Sequence, residues 1–249
     1  MYHMRFKGTP AEMGAKRGRL YRTHGAAFPI RLDSFQTAHG AHSEAILRAL
    51  FPAVCEEAEA MSHELGISYI TFISWMLCMG CCMYNLENSR HAEVRGCTAF
   101  AAADTGGVWY GRNNDLPPFL KKTSTSDLYV LPSGRRFILT TSSFINGEEA
   151  VNSDGLVVCM TFVMPRLEEI RPGFNSVFAV RYLAEKAASV SEALKLLEPL
   201  PVSSPCCILL ADKSGAMAAA ECAPHKKQIR MPQTLDNGIS YIAAANNFT

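Results

Sequence analysis

The sequence predicts an α+β domain built on two stacked, mainly antiparallel sheets. Three observations carry this. The first 96 residues read as capped helices with apolar periodicity. From Cys97 onwards, short strand-like runs alternate with tight turns such as Asp104-Thr105-Gly106-Gly107 and Ser153-Asp154-Gly155. Two more helices then interrupt the strands, so the order is helices, strands, helices, strands. A parallel, doubly wound sheet would instead need strict alternation.

The elements follow in order. Thr9-Pro10-Ala11-Glu12 is a helix start, with Thr9 as N-cap, Pro10 at N1 and Glu12 closing a capping box. That helix should run to about Thr23. Ser43 is read as the cap of a second helix, whose apolar stripe is Leu47, Phe51, Val54, Ala58, Met61 and Leu65. Pro52 should kink it or mark its real start, and Gly66 suits the C′ position. Ser68 caps a third helix over residues 69–84, apolar on most sides and therefore buried. A polar linker, residues 85–93, leads to Gly96-Cys97.

Residues 97–103 and 108–112 form the first hairpin. Strands at 128–131 and 137–144 flank Pro132-Ser133-Gly134, and strands at 148–152 and 156–163 form the next hairpin. Helices are predicted over 175–188 and 191–198, the latter capped by Ser191. Residues 206–211 and 216–222 pair across Asp212-Lys213-Ser214-Gly215, and residues 241–248 form the last strand.

Composition narrows the class. A chain of 249 residues, 48% hydrophobic and 19% charged, is an ordinary globular chain able to bury a large core. A net charge of +1 argues against nucleic acid as a partner. No apolar run reaches the length of a membrane span, and the first ten residues lack the apolar core of a secretory signal. A cytoplasmic location is expected. The nine cysteines are clustered, as in Cys78, Cys81 and Cys82 or Cys206 and Cys207, unlike a spaced disulfide framework. Cys78-Met79-Gly80-Cys81 is formally C-x-x-C. With no second C-x-x-C or H-x-x-x-H partner it reads as buried free thiols, and neither a metal nor a cofactor is expected.

The hairpin after Gly96 carries the chemistry. Its return brings Arg112 and Asp115 back towards Cys97, so a thiol, a guanidinium and a carboxylate share one sheet end. A Cys starting a strand, followed by Gly111-Arg112-Asn113-Asn114-Asp115, resembles the Cys-type N-terminal-nucleophile (Ntn) hydrolases. The likeness is to choloylglycine hydrolases and, more closely, to penicillin acyltransferase-like proteins of peptidase family C45. Gly8-Thr9-Pro10 with Gly14 and Gly18, and the segment from Pro201 to Pro224, resemble the same family. The resemblance implies a four-layer αββα sandwich in a single domain. Residues 1–96 would be a mostly helical pro-segment and residues 97–249 the part bearing the nucleophile.

It also implies roles. Cys97 is the nucleophile, uncovered by self-cleavage of the Gly96-Cys97 bond, and its freed amine is the base. Asp115 holds that amine and Arg112 sits beside the thiolate. Asn152, in a turn resembling the family's N-x-x-G-L, and Asn246, in Ala245-Asn246-Asn247-Phe248, supply the oxyanion hole. Here Ala245 and Asn247 stand where the family pattern D-N-H-F has Asp and His. Leu116-Pro117-Pro118-Phe119 is a candidate acyl pocket. The implied reaction is hydrolysis or acyl transfer at a linear, non-peptide amide. The partner is a small-molecule amide, with homo-oligomer formation left open. Members of the family continue beyond the N-H-F element, whereas this sequence stops at Thr249. The alternative reading is therefore a truncated or unprocessed, non-catalytic relative.

Overall fold

Glu12 N–H donates to Thr9 Oγ1 at 3.3 Å and Thr9 N–H donates to Glu12 Oε2 at 2.8 Å, which closes the predicted capping box. The structure, a computed structural model, describes residues 2–28, 30–79, 81–82, 96–115, 124–142 and 144–249. A short strand β1 (Arg5–Lys7) precedes helices α1 (Pro10–Thr23), α2 (Ser34–Leu50), α3 (Pro52–Leu65) and α4 (Tyr69–Cys78). Strands β2 (Cys97–Asp104), β3 (Gly107–Asn114), β4 (Thr125–Val130), β5 (Arg136–Thr141), β6 (Glu149–Asn152) and β7 (Leu156–Phe162) follow. Helices α5 (Ser176–Lys186) and α6 (Val190–Leu197) then lead to β8 (Cys206–Asp212), β9 (Met217–Ala223), β10 (Lys226–Arg230), β11 (Gln233–Thr234) and β12 (Ser240–Ala244).

Most element boundaries agree with the sequence. Pro52 starts a new helix, and Gly66 ends it in the left-handed conformation at φ 68°. Several details differ, among them the last strand, which ends at Ala244 and not at residue 248, and strands β1, β10 and β11, which the sequence does not announce. The second helix begins at Ser34, because Asp33 caps it and Gln36 closes a capping box; Ser43 is buried inside it. Helix α4 ends at Cys78, with Met79 extended. Ser189, not Ser191, caps α6 by accepting from Glu192 N–H at 3.3 Å. The predicted linker, residues 85–93, and the candidate acyl-pocket segment, residues 116–119, lie outside the described residues.

Two sheets form. The larger has eight strands in the order β1-β4-β5-β6-β7-β8-β9-β10, and the smaller four in the order β11-β12-β2-β3. The β1–β4 ladder is parallel and the others between named strands are antiparallel. This is the α+β class with two stacked, mainly antiparallel sheets.

Period-two alternation sorts the core into two layers. On β8, Ile208 and Leu210 join Phe137, Tyr129 and Phe178 in the core beneath the helices. Cys207, Leu209 and Ala211 point the other way, onto Ala99, Ala101, Ile242 and Ala244 of the smaller sheet. Both faces of β8 are buried, so the strand is apolar throughout. Helix α5 packs on the helix-side face of β6 and β7. The outer face of the smaller sheet carries Phe100 and Trp109, 49% and 62% exposed.

A buried ionic network ties the first helices to the larger sheet. Arg17 donates to Asp127 at 2.6 Å, while Arg181 and the Tyr129 hydroxyl donate to Glu57 at 2.9 and 2.8 Å. Close packing of α1 on α3 makes it reachable. A Cβ on Gly14 would lie 2.0 Å from the Glu57 carbonyl oxygen, and one on Gly18 would lie 2.7 Å from that of Met61. Among the described residues, no helix is long and apolar enough to cross a membrane.

Candidate active site

Cys97 opens β2, and its register partner on β3 is Asn114. In an antiparallel pair, directly opposed residues share a face, and so do residues two apart on one strand. Cys97, Asn114 and Arg112 therefore point together into the space between the sheets. Arg112 Nη2 donates to Cys97 Sγ at 3.2 Å and to Asn114 Oδ1 at 3.1 Å. The Cys97 thiol donates to Asn114 Oδ1 at 3.3 Å. Arg112 Nε donates to the Met160 carbonyl at 3.2 Å, which anchors the guanidinium on the larger sheet.

Asn246, just past β12, completes the cluster. Its Oδ1 accepts the Cys97 backbone N–H at 2.5 Å, and its Nδ2 donates to the Phe162 carbonyl. The site thus forms where the far end of β7 meets the start of β2. The Gly96 carbonyl accepts the Asp115 backbone N–H at 3.0 Å, extending the β2–β3 ladder by one bond.

The thiol titrates under opposed influences. Burial pushes it above the ordinary thiol range. The Arg112 charge and a hydrogen bond from the Phe162 backbone pull it down, while Glu148 and Asp115 push it further up. Burial also weakens the Arg112 proton, but nearby Cys97, Cys159, Glu149 and Glu148 outweigh this and keep the guanidinium firmly charged.

Two residues expected at Cys97 are placed elsewhere. The Asp115 side chain is exposed and accepts Asn113 Nδ2 at 2.5 Å. A spacing of three along a strand puts Arg112 and Asp115 on opposite faces, so only the Asp115 backbone reaches the Gly96–Cys97 junction. Asn152 sits at the turn end of the β6–β7 hairpin. Arg112 and Asn246 meet β7 at its other end, a strand length of about 20 Å at about 3.3 Å per residue. Asn152 Nδ2 donates to the Ala184 and Ala187 carbonyls at 3.0 and 2.7 Å. Its Oδ1 accepts from the N–H groups of Asp154 and Leu156, both at 3.1 Å. Every polar group of that amide is used to cap α5 and shape the turn.

Sequence reasoning passed over Asn114 and Phe162. Asn114 had a usable signal, since it lies two residues from Arg112 and directly opposite the start of β2. The Phe162 contribution is a backbone group and leaves no mark on residue type.

Stacked, mainly antiparallel sheets, helices on the larger one and a thiol at the start of an inner strand define an α+β sandwich with a candidate thiol site between its sheets. The chain belongs to the acyl-coenzyme A:6-aminopenicillanic acid acyl-transferase family, whose model matches residues 102–249. Among solved structures it is similar to penicillin V acylase from Agrobacterium tumefaciens: 16% identity over 55% of this chain and 42% of that one, TM-score 0.33. It is also similar to two variants of conjugated bile acid hydrolase from Clostridium perfringens: 10% identity over 59% of this chain and 45% of theirs, TM-score 0.32. The chain thus spans less than half the length of these proteins. No curated protein matches it.

Proposed function

We propose that this chain is a self-processing amidohydrolase or acyltransferase that uses Cys97 to open a linear, non-peptide C–N bond. The observation that carries the reading is the grip on the Gly96–Cys97 junction. Arg112 holds the sulfur, Asn246 holds the Cys97 N–H, and the Asp115 N–H holds the Gly96 carbonyl.

Each contact has a use in self-cleavage. Cys97 Sγ attacks the Gly96 carbonyl carbon through a five-membered ring, and the carbonyl oxygen gains negative charge. The Asp115 N–H already points at that oxygen, as an oxyanion donor must. Breaking the C–N bond leaves a thioester on sulfur and a proton gained by the Cys97 nitrogen. Water then releases the Gly96 carboxylate and the thiol. Proximity makes the first step effectively intramolecular.

The freed amine lies a few atoms from its own sulfur, with a reference pKa of about 8, and serves as the base for substrate turnover. Sγ attacks the substrate carbonyl, the amine's proton passes to the leaving nitrogen, and water or an acceptor amine resolves the acyl-enzyme. The Phe162 N–H, bonded to the Cys97 sulfur, and Asn246 Nδ2, which bonds the Phe162 carbonyl, are the donors that would serve the substrate oxyanion. Asp115 reaches the new amine only if its side chain reorients once the junction parts. Asn152 acts on the fold, not on the reacting atoms. The names of the family and of the similar solved structures suggest acyl groups joined to a penicillin nucleus or bile acids joined to amines as substrate classes.

The test is mass spectrometry of wild type and Cys97→Ala after identical incubation. The expected result is a wild-type fragment ending at Gly96 and one starting at Cys97, with the variant whole. Two full-length chains would remove self-processing and favour the non-catalytic alternative. A screen of acyl amides on the processed chain then defines the substrate.

A further inference from the structure

Away from Cys97, and among the described residues, one more set of ligand-type side chains comes together. His39 lies within α2, Cys78 ends α4, and Cys81 and Cys82 follow in the next turn. His39 and the two turn cysteines offer one ligand atom each, and these atoms all lie within 4.8 Å of one another. Cys81 Sγ is 3.7 Å from His39 Nε2. Two ligands of one tetrahedral zinc, with Zn–S about 2.3 Å and Zn–N about 2.0 Å, stand about 3.6 Å apart. The thiol–imidazole pair already keeps nearly that spacing.

The surroundings are built rather than incidental. His39, Cys81 and Cys82 are 5%, 6% and 3% exposed, and Cys78 is fully buried. Phe35 stacks on the His39 ring at 6.1 Å with the planes 6° apart. Gln36 Nε2 donates to the Cys82 carbonyl at 2.7 Å, and Cys78 Sγ donates to the Gln36 carbonyl at 3.8 Å. The Cys82 thiol in turn donates to the Cys78 sulfur. Such contacts orient ligands from outside the first coordination shell.

We propose that His39 Nε2, Cys81 Sγ and Cys82 Sγ bind one zinc-type, borderline-soft divalent cation. Thiolate and imidazole favour such ions over magnesium or calcium, which take oxygen ligands. On binding, each of the two thiols releases one proton to solvent. Two thiolates and a neutral imidazole then balance the charge of Zn2+, so the buried site carries no uncompensated charge. Cys78 stays outside the set, supporting Cys82, and a water fills the fourth position. The ion would pin the end of α4 to α2.

The experiment uses the full chain, reduced, stripped with EDTA and titrated with Co2+ as a spectroscopic probe. One equivalent should give thiolate-to-cobalt charge transfer and the visible bands of tetrahedral cobalt, both bleached by one equivalent of Zn2+. Zn2+ should protect Cys81 and Cys82 from maleimide while Cys55 and Cys206 label as before. His39→Ala and Cys82→Ser should each weaken Zn2+ binding by more than the about 10–100-fold that loss of an outer-shell partner costs. Cobalt bound without a thiolate band, or a band unchanged in Cys82→Ser, would overturn the site. So would a disulfide among these thiols with no metal uptake. The protection experiment needs no variant and decides the matter if the substitutions unfold the chain.

Discussion

The Cys97 backbone N–H donates to Asn246 Oδ1 at 2.5 Å, and a Cβ placed on Gly96 would lie 2.5 Å from that same oxygen. One side-chain oxygen therefore covers both sides of the Gly96–Cys97 bond. The need for glycine at position 96 comes from this close approach, since Gly96 is not among the residues with positive φ. Gly96→Ala should push Asn246 off the Cys97 N–H. The expected outcome is slower appearance of the Cys97 fragment with a folded chain, followed by timed mass spectrometry and circular dichroism.

Asn246 and Asn152 should separate cleanly by phenotype. Asn246→Leu removes the acceptor of the Cys97 N–H and should slow processing by about 2–10-fold, the rate equivalent of one hydrogen bond of about 0.5–1.5 kcal/mol. Asn152→Ala removes a donor from the Ala184 and Ala187 carbonyls, the latter keeping Arg135, and the acceptor of two backbone N–H groups, so it should cost about 1–3 kcal/mol of stability. Urea titration and processing rates, measured on both variants, test the division.

Alkylation of Cys97 should rise with pH past the ordinary thiol range, because burial raises its pKa and the reactive form is the thiolate. It should still outpace Cys55 and Cys207, pushed up to about 11, and Cys159, pushed up to about 12. Arg112→Leu removes a charge that lowers the Cys97 pKa. The profile should move up by about 1–3 units. Near pH 8 the thiolate fraction then falls about tenfold per unit. Peptide mapping of iodoacetamide adducts across pH checks both statements.

Glu57 takes hydrogen bonds from Arg181 and Tyr129 while fully buried. Glu57→Ala leaves the Arg181 guanidinium, which lies over the Tyr129 and Phe137 rings, with Glu185 and the Ile145 carbonyl as hydrogen-bond partners. Breaking a buried pair in this way costs about 3–5 kcal/mol. A lowered urea midpoint with an unchanged slope is the expected result.

Local chemistry made much of this fold legible. Thr9 and Glu12 announced α1, Pro52 and Gly66 bounded α3, and turn residues located the β2–β3, β6–β7 and β8–β9 hairpins. Contacts between distant segments left no such trace. Nothing in Arg5-Phe6-Lys7 signals a parallel pairing with β4, and His39 is separated from Cys81 by two helices. The candidate site was legible where register decided it, as for Cys97 and Arg112. It was misread where a motif's spacing was taken for proximity. Asp115 fell on the other strand face, and Asn152 was carried to the wrong end of a hairpin. Asn246 arrived from the last strand, with its Oδ1 rather than its amide donor on Cys97.

The seam between the sheets is filled largely by alanine, with Ala99, Ala101, Ala211, Ala219 and Ala244 all buried there. A methyl group removes little surface from water, at about 25 cal/mol per Å². The helix side holds Phe6, Phe137, Phe174 and Phe178 instead. Cohesion is thus uneven, and the four-stranded sheet is the more weakly glued part. In native-state hydrogen exchange, amides of Ala99 and Ala101 should trade deuterium through a partial opening, well before those of Ile208 and Leu210. The sulfur proposed to cut its own chain would then ride on the portion of the molecule that lets go first.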